Sequence, residues 1–316
     1  MSQTPPTKLS HFLSTEYLEV SQITSLINQA RCYADPKTAS LLSASSPLKN
    51  KIVANLFFEN STRTRCSFEI GAQKLGAYVL YFNTDTSSTQ KGETLLDTAQ
   101  NLISMGVDLL VIRHPEAGMP AWLAQRIEVP VINAGDGSNE HPTQAMLDIL
   151  TILQHKPDIS ALTVSIIGDI RHSRVARSMC FLLKKLGVKE IRLIGPHTFL
   201  PKNGTEFPQT IFHHHLIAGI ENADVVMMLR VQHERLNKQE AHFDLNGYIQ
   251  EYQLTVDRLK YAKSDAIVMH PGPMNREIEI DSAVADGAQS VILEQSRLGV
   301  AMRMAIMSAL LTPPMA

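Results

Sequence analysis

The sequence predicts an α/β fold made of two doubly wound parallel-sheet domains joined by long helices. Short apolar strands alternate with helical patterns along the chain, which is typical of parallel sheets covered by helices. The alternation stops at Lys156-Pro157-Asp158 and then begins again. The length of 316 residues also exceeds the ~250 to 300 residues at which single cores stop growing. We therefore expect one domain over residues 1–150 and another over 151–290, with a C-terminal helix over 291–316 packing back on the first.

The first predicted domain opens with a helix over Leu18–Tyr33, where apolar residues have helical spacing. Four apolar runs then predict strands, and an amphipathic segment follows each of them. The predicted strands are Ile52–Phe58, Tyr78–Phe82, Val107–Ile112 and Val129–Ile132, and the predicted helices are Thr62–Leu75, Gly92–Met105, Pro120–Arg126 and Pro142–Gln154.

The second predicted domain repeats the pattern. Its strands are Leu162–Ile167, Glu190–Ile194, Asp224–Leu229 and Ala266–Met269, and its helices are Ser173–Leu186 and the closing Val291–Leu311. In open α/β sheets, ligands bind beyond the carboxyl ends of the strands. Candidate chemistry is therefore expected where a strand gives way to a helix.

Composition excludes several classes of protein. Lys plus Arg total 29 and Asp plus Glu total 31, so a net charge of −2 gives no overall attraction to nucleic acid or anionic membranes. No apolar run approaches the ~20 residues of a membrane-spanning helix, and the N-terminus lacks signal-peptide features. The cysteines Cys32, Cys66 and Cys180 are far apart, which argues against disulfides or zinc and fits a reducing cytoplasm.

The first polar junction is Ser61-Thr62-Arg63-Thr64-Arg65, between a predicted strand and a predicted helix. One interpretation is a capped helix with two solvated arginines. The other is a phosphate site, because a helix N-terminus presents free N–H groups and arginines add charged donors. The density of donors favours the phosphate site.

The longer run Phe57–Arg65 resembles the carbamoyl phosphate signature of the aspartate and ornithine carbamoyltransferases. The resemblance implies that carbamoyl phosphate is a substrate, with Thr64 also near its carbonyl oxygen. The residues implied to hold the phosphate are Ser61, Thr62, Arg63 and Thr64.

The segment Ser87–Thr94 contains a lysine that, taken alone, is most simply a solvated side chain. Lys91-Gly92-Glu93-Thr94, however, resembles the family's mobile loop, although Gln90 stands where some members have a second lysine. The resemblance implies that Ser87 and Lys91 act in the active site of a neighbouring subunit, with Lys91 contacting both substrates. A homotrimer with shared sites follows from it.

Two further junctions complete the first half. Arg113 follows an apolar strand and is either a surface cation or a group aimed into the cleft. His141 opens a helix, where the dipole disfavours its protonated form, and is either a packing histidine or a hydrogen-bond donor. The resemblance implies that Arg113 contacts phosphate and carbonyl oxygen, that His141 contacts the carbonyl oxygen, and that Gln144 lies by the carbamoyl NH₂.

The second half carries the features that select the acceptor amine. Aspartate offers two carboxylates, which suit two arginine forks. Gly168–Ser178 lacks the spacing of a dinucleotide site and resembles the segment in which the aspartate enzymes bind a carboxylate, here through Arg174. Arg230-Val231-Gln232 resembles their side-chain carboxylate site. We also expect a mobile lid over Asn237–Asn246.

His270-Pro271-Gly272-Pro273 ends a strand as a rigid turn, because proline cannot continue a central strand. In the family the equivalent carbonyls accept hydrogen bonds from the substrate amines, which assigns Gly272 and Pro273 to aspartate binding. Gly272 replaces a leucine of some members. We expect the Gly272–Pro273 bond to be cis.

His213-His214-His215 invites a metal interpretation, which we reject. On a strand only His213 and His215 would share a face, and no nearby carboxylate or cysteine completes a ligand set.

The resemblance as a whole implies transfer of a carbamoyl group from carbamoyl phosphate to L-aspartate, giving N-carbamoyl-L-aspartate and phosphate in pyrimidine biosynthesis, with no metal or organic cofactor. Ornithine as the acceptor is the nearest alternative. A non-catalytic phosphate-binding module and a dehydrogenase are more distant ones. Members of the family occur alone, with regulatory subunits or with dihydroorotase-like partners, and the sequence does not choose among these.

Overall fold

A computed structural model describes residues 9–82, 92–202, 204–232 and 244–312. Within it, the chain divides into two compact units, one of Met1–Leu150 with Ser296–Ala316 and one of Thr151–Gln295. Each unit is built around its own parallel sheet. This confirms the predicted fold class of two parallel-sheet α/β domains.

The first unit contains four strands in the spatial order β2-β1-β3-β4. All three pairings are parallel, and the two central strands are almost entirely apolar and buried, as expected of strands covered on both faces. The strands are β1 (Ile52–Phe57), β2 (Tyr78–Phe82), β3 (Leu109–His114) and β4 (Val131–Asp136).

Helices connect these strands and cover the sheet. Apolar side chains of β1, β3 and the surrounding helices form one buried cluster that includes Leu56, Leu102, Leu110 and Leu123. The helices are α1 (Val20–Ala34), α2 (Pro36–Ser45), α3 (Thr62–Lys74), α4 (Leu95–Ser104), α5 (Met119–Ala124) and α6 (Pro142–His155).

The second unit contains five parallel strands in the order β7-β6-β5-β8-β9. The strands are β5 (Thr163–Ile167), β6 (Glu190–Ile194), β7 (Ile211–His213), β8 (Val225–Met228) and β9 (Ile267–Met269). The helices of this unit are α7 (Arg174–Lys185), α8 (Leu216–Ile220), α9 (Leu245–Tyr252), α10 (Val256–Leu259) and α11 (Ser282–Ala285). The closing helix α12 (Ile292–Leu311) begins in this unit and from Ser296 onward belongs to the first unit. Ile167 of β5, Val226 of β8 and Val268 of β9 belong to a single buried cluster.

Most predicted strands lie within one or two residues of their observed bounds, and the differences have a local cause. Strand β3 begins later than predicted and extends to His114, because Arg113 still pairs in parallel register with Phe57. The elements that the sequence did not reveal are short ones (β7 and α8 to α11) and α2. No helix in the described ranges is long and apolar enough to cross a membrane.

Candidate active site

The N-terminus of α3 is the first element of the candidate site. Ser61 is its N-cap residue, and its side chain makes no capping hydrogen bond in the described structure. Thr62 and Arg63 are exposed in the following turn, whereas Arg65 pairs with Glu69 one turn along the helix, with 3.4 Å between Nε and Oε1. Of the two arginines in the motif, Arg65 therefore has the ordinary role of a solvated helix residue, and the first helical turn presents Thr62 and Arg63.

Thr64 and His141 come together from distant parts of the chain. Both are buried, and the Oγ1 atom of Thr64 lies 3.5 Å from Nε2 of His141. The carbonyl of His141 accepts hydrogen bonds from the N–H groups of Gln144 and Ala145, so His141 occupies the cap position of α6. The first turns of α3 and α6 thus place a hydroxyl and an imidazole side by side.

Arg113 belongs to the same edge of the first sheet. It lies next to Phe57 in the register of β1 and β3, and its carbonyl accepts from the N–H of Phe58 at 2.8 Å. Its guanidinium, mostly buried, lies with Nε 3.1 Å from Oε2 of Glu59, and Nη1 donates to the carbonyl of Ala134 at 3.4 Å. Glu59 therefore fixes the cation at the carboxyl ends of β1 and β3.

A buried carboxylate network supports the turn that carries His141. Asp136 at the end of β4 accepts from the backbone N–H of Gly118 and Glu140 and from the side chain of Asn133. Glu140 accepts from both the N–H and the hydroxyl of Thr15, at 2.9 and 2.6 Å. Since both carboxylates are almost fully buried and engaged several times, the turn is held rigidly before His141.

Gln144 lies in the first turn of α6 and is buried. Its Nε2 donates to Oδ1 of Asp148, one turn further along, at 2.9 Å. The structure therefore brings together seven predicted residues of the first unit at one edge of its sheet, and these are the Ser61–Thr64 run, Arg113, His141 and Gln144.

The imidazole of His114, beside Arg113, has no place among the predicted site residues. Its Nδ1 accepts from the N–H of Glu116 at 3.0 Å, and the ring packs against Phe58. Burial lowers the pKa of His114, so this ring is neutral at pH 7.

In the second unit the predicted residues follow three neighbouring strands. Arg174 begins α7 after β5, Arg230 and Gln232 follow β8, and the Gly272–Pro273 turn follows β9. Because β5, β8 and β9 are adjacent and parallel, these segments emerge at the same edge of the second sheet. Ser173 caps α7 by accepting from the N–H of Ala176, and Arg174 is buried directly behind that cap.

Gly168 allows the segment after β5 to pass close to the end of β8. It has a φ of +127°, and an added Cβ would lie 2.5 Å from the carbonyl oxygen of Leu229. Only glycine accommodates both the backbone conformation and this approach. The close approach of two backbone segments next to Arg230 therefore requires glycine at position 168. This packing explains why a glycine stands there although it is not part of a dinucleotide-binding motif.

Gln232 is held by a chain of hydrogen bonds that begins at a buried carboxylate. Its Nε2 donates to the carbonyl of His172 at 3.1 Å. The Nδ1 of His172 lies 2.8 Å from Oδ1 of Asp169, which is fully buried. The segment after β5 thereby orients a side chain that follows β8.

The turn after β9 contains a cis Gly272–Pro273 peptide bond, which confirms the expectation. The N–H of Gly272 donates to Nδ1 of His270 at 2.8 Å, so His270 is protonated on Nε2. That nitrogen lies 3.1 Å from Oε1 of Glu279, which also accepts from the N–H of Asn275. His270 and Glu279 are both buried and together fix the turn.

Several sequence-based expectations fall partly or wholly outside this geometry. Ser87 and Lys91 lie outside the described residues, as does most of the predicted lid. The end of that lid is helical, because Asp244 caps α9.

The histidine triplet is not one strand, since β7 ends at His213 and His215 is the N-cap residue of α8. Among the described residues, no group of three or more His, Cys, Asp or Glu side chains is placed to bind a metal.

The carboxylates of the site are what the sequence reasoning missed. Asp148 had a usable signal, because it stands one helical turn after Gln144. Glu59 lies within the run Phe57–Arg65, directly before the predicted phosphate-binding residues. Glu279 had no signal, since it is nine positions from His270 across an irregular segment.

Comparison with protein families gives two matches that together span nearly the whole chain. Residues 10–154 match the model of the aspartate/ornithine carbamoyltransferase carbamoyl-P binding domain. Residues 160–310 match the model of the aspartate/ornithine carbamoyltransferase Asp/Orn binding domain.

Individual proteins give similar results. The chain is 50% identical over 297 residues to an aspartate carbamoyltransferase catalytic subunit from Syntrophotalea carbinolica, covering 94% of each protein. It resembles Trypanosoma cruzi aspartate transcarbamoylase in complex with N-(phosphonacetyl)-L-aspartic acid, with a TM-score of 0.86, 31% identity and 98% of each chain covered. The complex of that enzyme with carbamoyl phosphate and aspartate gives a TM-score of 0.86 and 30% identity, covering 98% of this chain and all of the other.

Proposed function

The chain belongs to the aspartate/ornithine carbamoyltransferase family, and from this premise we propose that it transfers the carbamoyl group of carbamoyl phosphate to L-aspartate. The observation that carries the proposal is the convergence of the α3 N-terminus, Thr64, Arg113 and His141 at one edge of the first sheet. N-carbamoyl-L-aspartate and phosphate are the products, and the reaction belongs to pyrimidine biosynthesis.

The first unit binds carbamoyl phosphate. Ser61, Thr62 and Arg63 offer an anion the backbone N–H groups of a helix N-terminus, hydroxyls and a guanidinium. Arg113 contacts both the phosphate and the carbonyl oxygen, and Thr64 and His141 contact that oxygen. The carboxylate of Glu59 lies 3.1 Å from Nε of Arg113 and thereby positions the guanidinium for the anion.

The chemical step is an addition followed by an elimination. The neutral amine of aspartate attacks the carbonyl carbon, a C–N bond forms, and the carbonyl oxygen gains negative charge. Thr64, Arg113 and His141 stabilise that oxyanion, and each such donor contributes about 10²- to 10³-fold in rate. The C–O bond to phosphate then breaks, and phosphate departs with the electron pair and accepts the amine proton.

The second unit binds the dicarboxylate. Arg174 and Arg230 each supply a planar fork for one carboxylate, and Gln232 supports the second of them. Carbonyls of the Gly272–Pro273 turn accept from the amine. Ornithine carries a cationic side chain, and an arginine at position 230 would repel it, so aspartate is the acceptor that the charges favour.

We further propose a cytoplasmic homotrimer in which Ser87 and Lys91 of one subunit complete the site of the next. One feature supports it. The edge strand β2, which precedes the segment of Ser87 and Lys91, exposes the side chains of Tyr78 and Tyr81. Exposed large apolar side chains that lie together are a common feature of protein–protein interfaces.

Phosphate release in the presence of each amine in turn tests the acceptor. Carbamoyl phosphate with aspartate should give rapid release, whereas carbamoyl phosphate with ornithine should match the rate without an amine. Release with ornithine alone would overturn the assignment, and release with neither amine despite binding of carbamoyl phosphate would indicate a non-catalytic module.

Complementation tests the shared site. Lys91→Ala and Arg113→Ala subunits should each be inactive when pure. After dissociation and mixing in equal amounts, about one quarter of the sites in random trimers should combine an intact Lys91 with an intact neighbouring Arg113. Recovery toward a quarter of wild-type activity is expected, and no recovery in a mixed trimer would refute action across an interface.

A further inference from the structure

Behind Gln144 lies a buried group of charges that the proposed mechanism does not use. Asp148 is fully buried on α6, and Arg303 of α12 is also buried. The Arg303 guanidinium lies over the ring of Phe68 in α3, with 5.2 Å from its carbon to the ring centroid, and Nη1 donates to the carbonyl of Gly299 at 3.3 Å. All of these residues belong to the first unit.

Asp148 and Arg303 interact electrostatically. Burial lowers the pKa of Arg303 to about 10, and the carboxylate of Asp148 opposes that shift. Arg303 is therefore still a cation at pH 7, and a nearby cation favours the ionised form of a buried carboxylate. An ionised carboxylate has no proton to donate and can only accept hydrogen bonds.

This fixes the direction of the hydrogen bond from Gln144. A glutamine side chain ends in an oxygen that accepts and an NH₂ group that donates, and in isolation either could face a neighbour. Facing a carboxylate, it must present the NH₂ group, as observed at 2.9 Å. Its Oε1 then points away from Asp148 as an acceptor.

We propose that Asp148 is a positioning residue that makes Gln144 a hydrogen-bond acceptor and thereby selects an acyl phosphate bearing NH₂ over one bearing a methyl group. Rejection follows because a methyl group at that position leaves Oε1 of Gln144 without a donor. This inference rests on the proposed function and adds the origin of substrate selectivity to it.

Acetyl phosphate is the probe, because it replaces the NH₂ of carbamoyl phosphate by CH₃ and keeps the rest. The measured quantity is the ratio of kcat/KM for carbamoyl phosphate to that for acetyl phosphate, with aspartate saturating. In Asp148→Asn the new amide can accept or donate, so Gln144 is free to turn over. The ratio should fall by about 10- to 100-fold, mostly through slower carbamoyl transfer.

A double-mutant cycle separates positioning from a general structural defect. Gln144→Met removes the amide at nearly constant volume. This change alone should strongly lower the ratio of kcat/KM for carbamoyl phosphate to that for acetyl phosphate. If Asp148 acts through Gln144, adding Asp148→Asn to Gln144→Met changes the ratio by less than about twofold. A further large drop, or an unchanged ratio in Asp148→Asn alone, would overturn the proposal.

Asp108→Asn provides a matched control in the same unit. Asp108 accepts from Lys51 Nζ at 2.7 Å and from the N–H of Ile52 at 2.8 Å, at the amino ends of the strands and away from the site. It should lower the thermal stability and leave the ratio unchanged. If the wild-type protein transfers neither group to aspartate, the proposed function fails; if wild type is active and selective but Asp148→Asn is equally selective, only this inference fails.

Discussion

The two units position their functional side chains by different means. In the first unit, the candidate residues lie in the first turns of two long helices or in a central strand, and they contact one another directly, as Thr64 does His141. In the second unit, they lie in irregular segments after three strands and are held indirectly, as Gln232 is through the carbonyl of His172.

This difference matches the tasks proposed for the two units. A phosphate and a carbonyl oxygen have fixed geometry, so rigid donors on helices and strands suit them. An acceptor amine differs between related enzymes, and turns can change without altering the sheet that carries them. The first unit is therefore expected to determine the rate of the chemical step, and the second the choice of acceptor.

The largest effect is expected for Arg113→Ala, since this residue is proposed to contact both the phosphate and the oxyanion. We expect kcat to fall by about 10³-fold or more, the upper end for an oxyanion donor. Steady-state kinetics of phosphate release measures it. Arg65→Ala is the matched control, because Arg65 is exposed and paired with Glu69 in the same motif, and it should change kcat by less than about threefold. Equal losses in both variants would contradict the assignment.

Arg230→Ala should affect the other unit in a separable way. Loss of one fork leaves a carboxylate of aspartate unpaired, which should lower kcat/KM for aspartate by about 10²- to 10³-fold. Binding of carbamoyl phosphate, measured by calorimetry without aspartate, should remain within about twofold. Arg177→Ala, which removes an ion pair to Glu206 elsewhere in the unit, is the control. Comparable weakening of both substrates would mean that the division between units is wrong.

The His270 turn offers a smaller and more detailed test. An asparagine can place its oxygen near the position of the imidazole Nδ1, and a glutamine can place its NH₂ near Nε2. His270→Asn should therefore keep the acceptor for the Gly272 N–H, and His270→Gln should keep only the contact with Glu279. We expect KM for aspartate to rise by about 10-fold in His270→Gln and by less in His270→Asn, in line with one lost hydrogen bond. The reverse order would show that Glu279, not the Gly272 contact, fixes the turn.

The accuracy with which structure could be predicted from the sequence also differs from element to element in the two units. Strands β2 and β6 were predicted with their observed bounds, because an uninterrupted apolar run defines β2 and an alternation of charged and apolar residues defines β6. The cluster at Ser61–Thr64 was recognisable because its donors are consecutive. The three-residue strand β7 and the four-residue helices α10 and α11 were not, because elements this short are formed by tertiary packing rather than by periodicity.

The carboxylates behind the site were the least predictable part. Asp136, Asp148 and Glu279 are ordinary acidic residues in the sequence, and only the fold shows that each is buried and accepts a hydrogen bond. Their partners are brought to them by the sheet order and by irregular turns. Sequence reasoning thus finds groups that face a substrate more readily than the groups that hold them.

The smallest expected effect concerns pH and stability in the first unit. Burial lowers the folded-state pKa of His114, so the folded protein binds its proton less readily than the unfolded chain, whose histidine titrates near ~6.5. The stability that the neutral ring contributes is thus fully present above that value and is lost as the pH falls through the folded pKa.

His114→Asn can keep the acceptor for the Glu116 N–H and cannot titrate in this range. The loss of Tm between pH 7.5 and 5.5 should be smaller in this variant than in wild type. An identical pH dependence of Tm in His114→Asn and wild type would show that the buried ring is not one of the groups that set it.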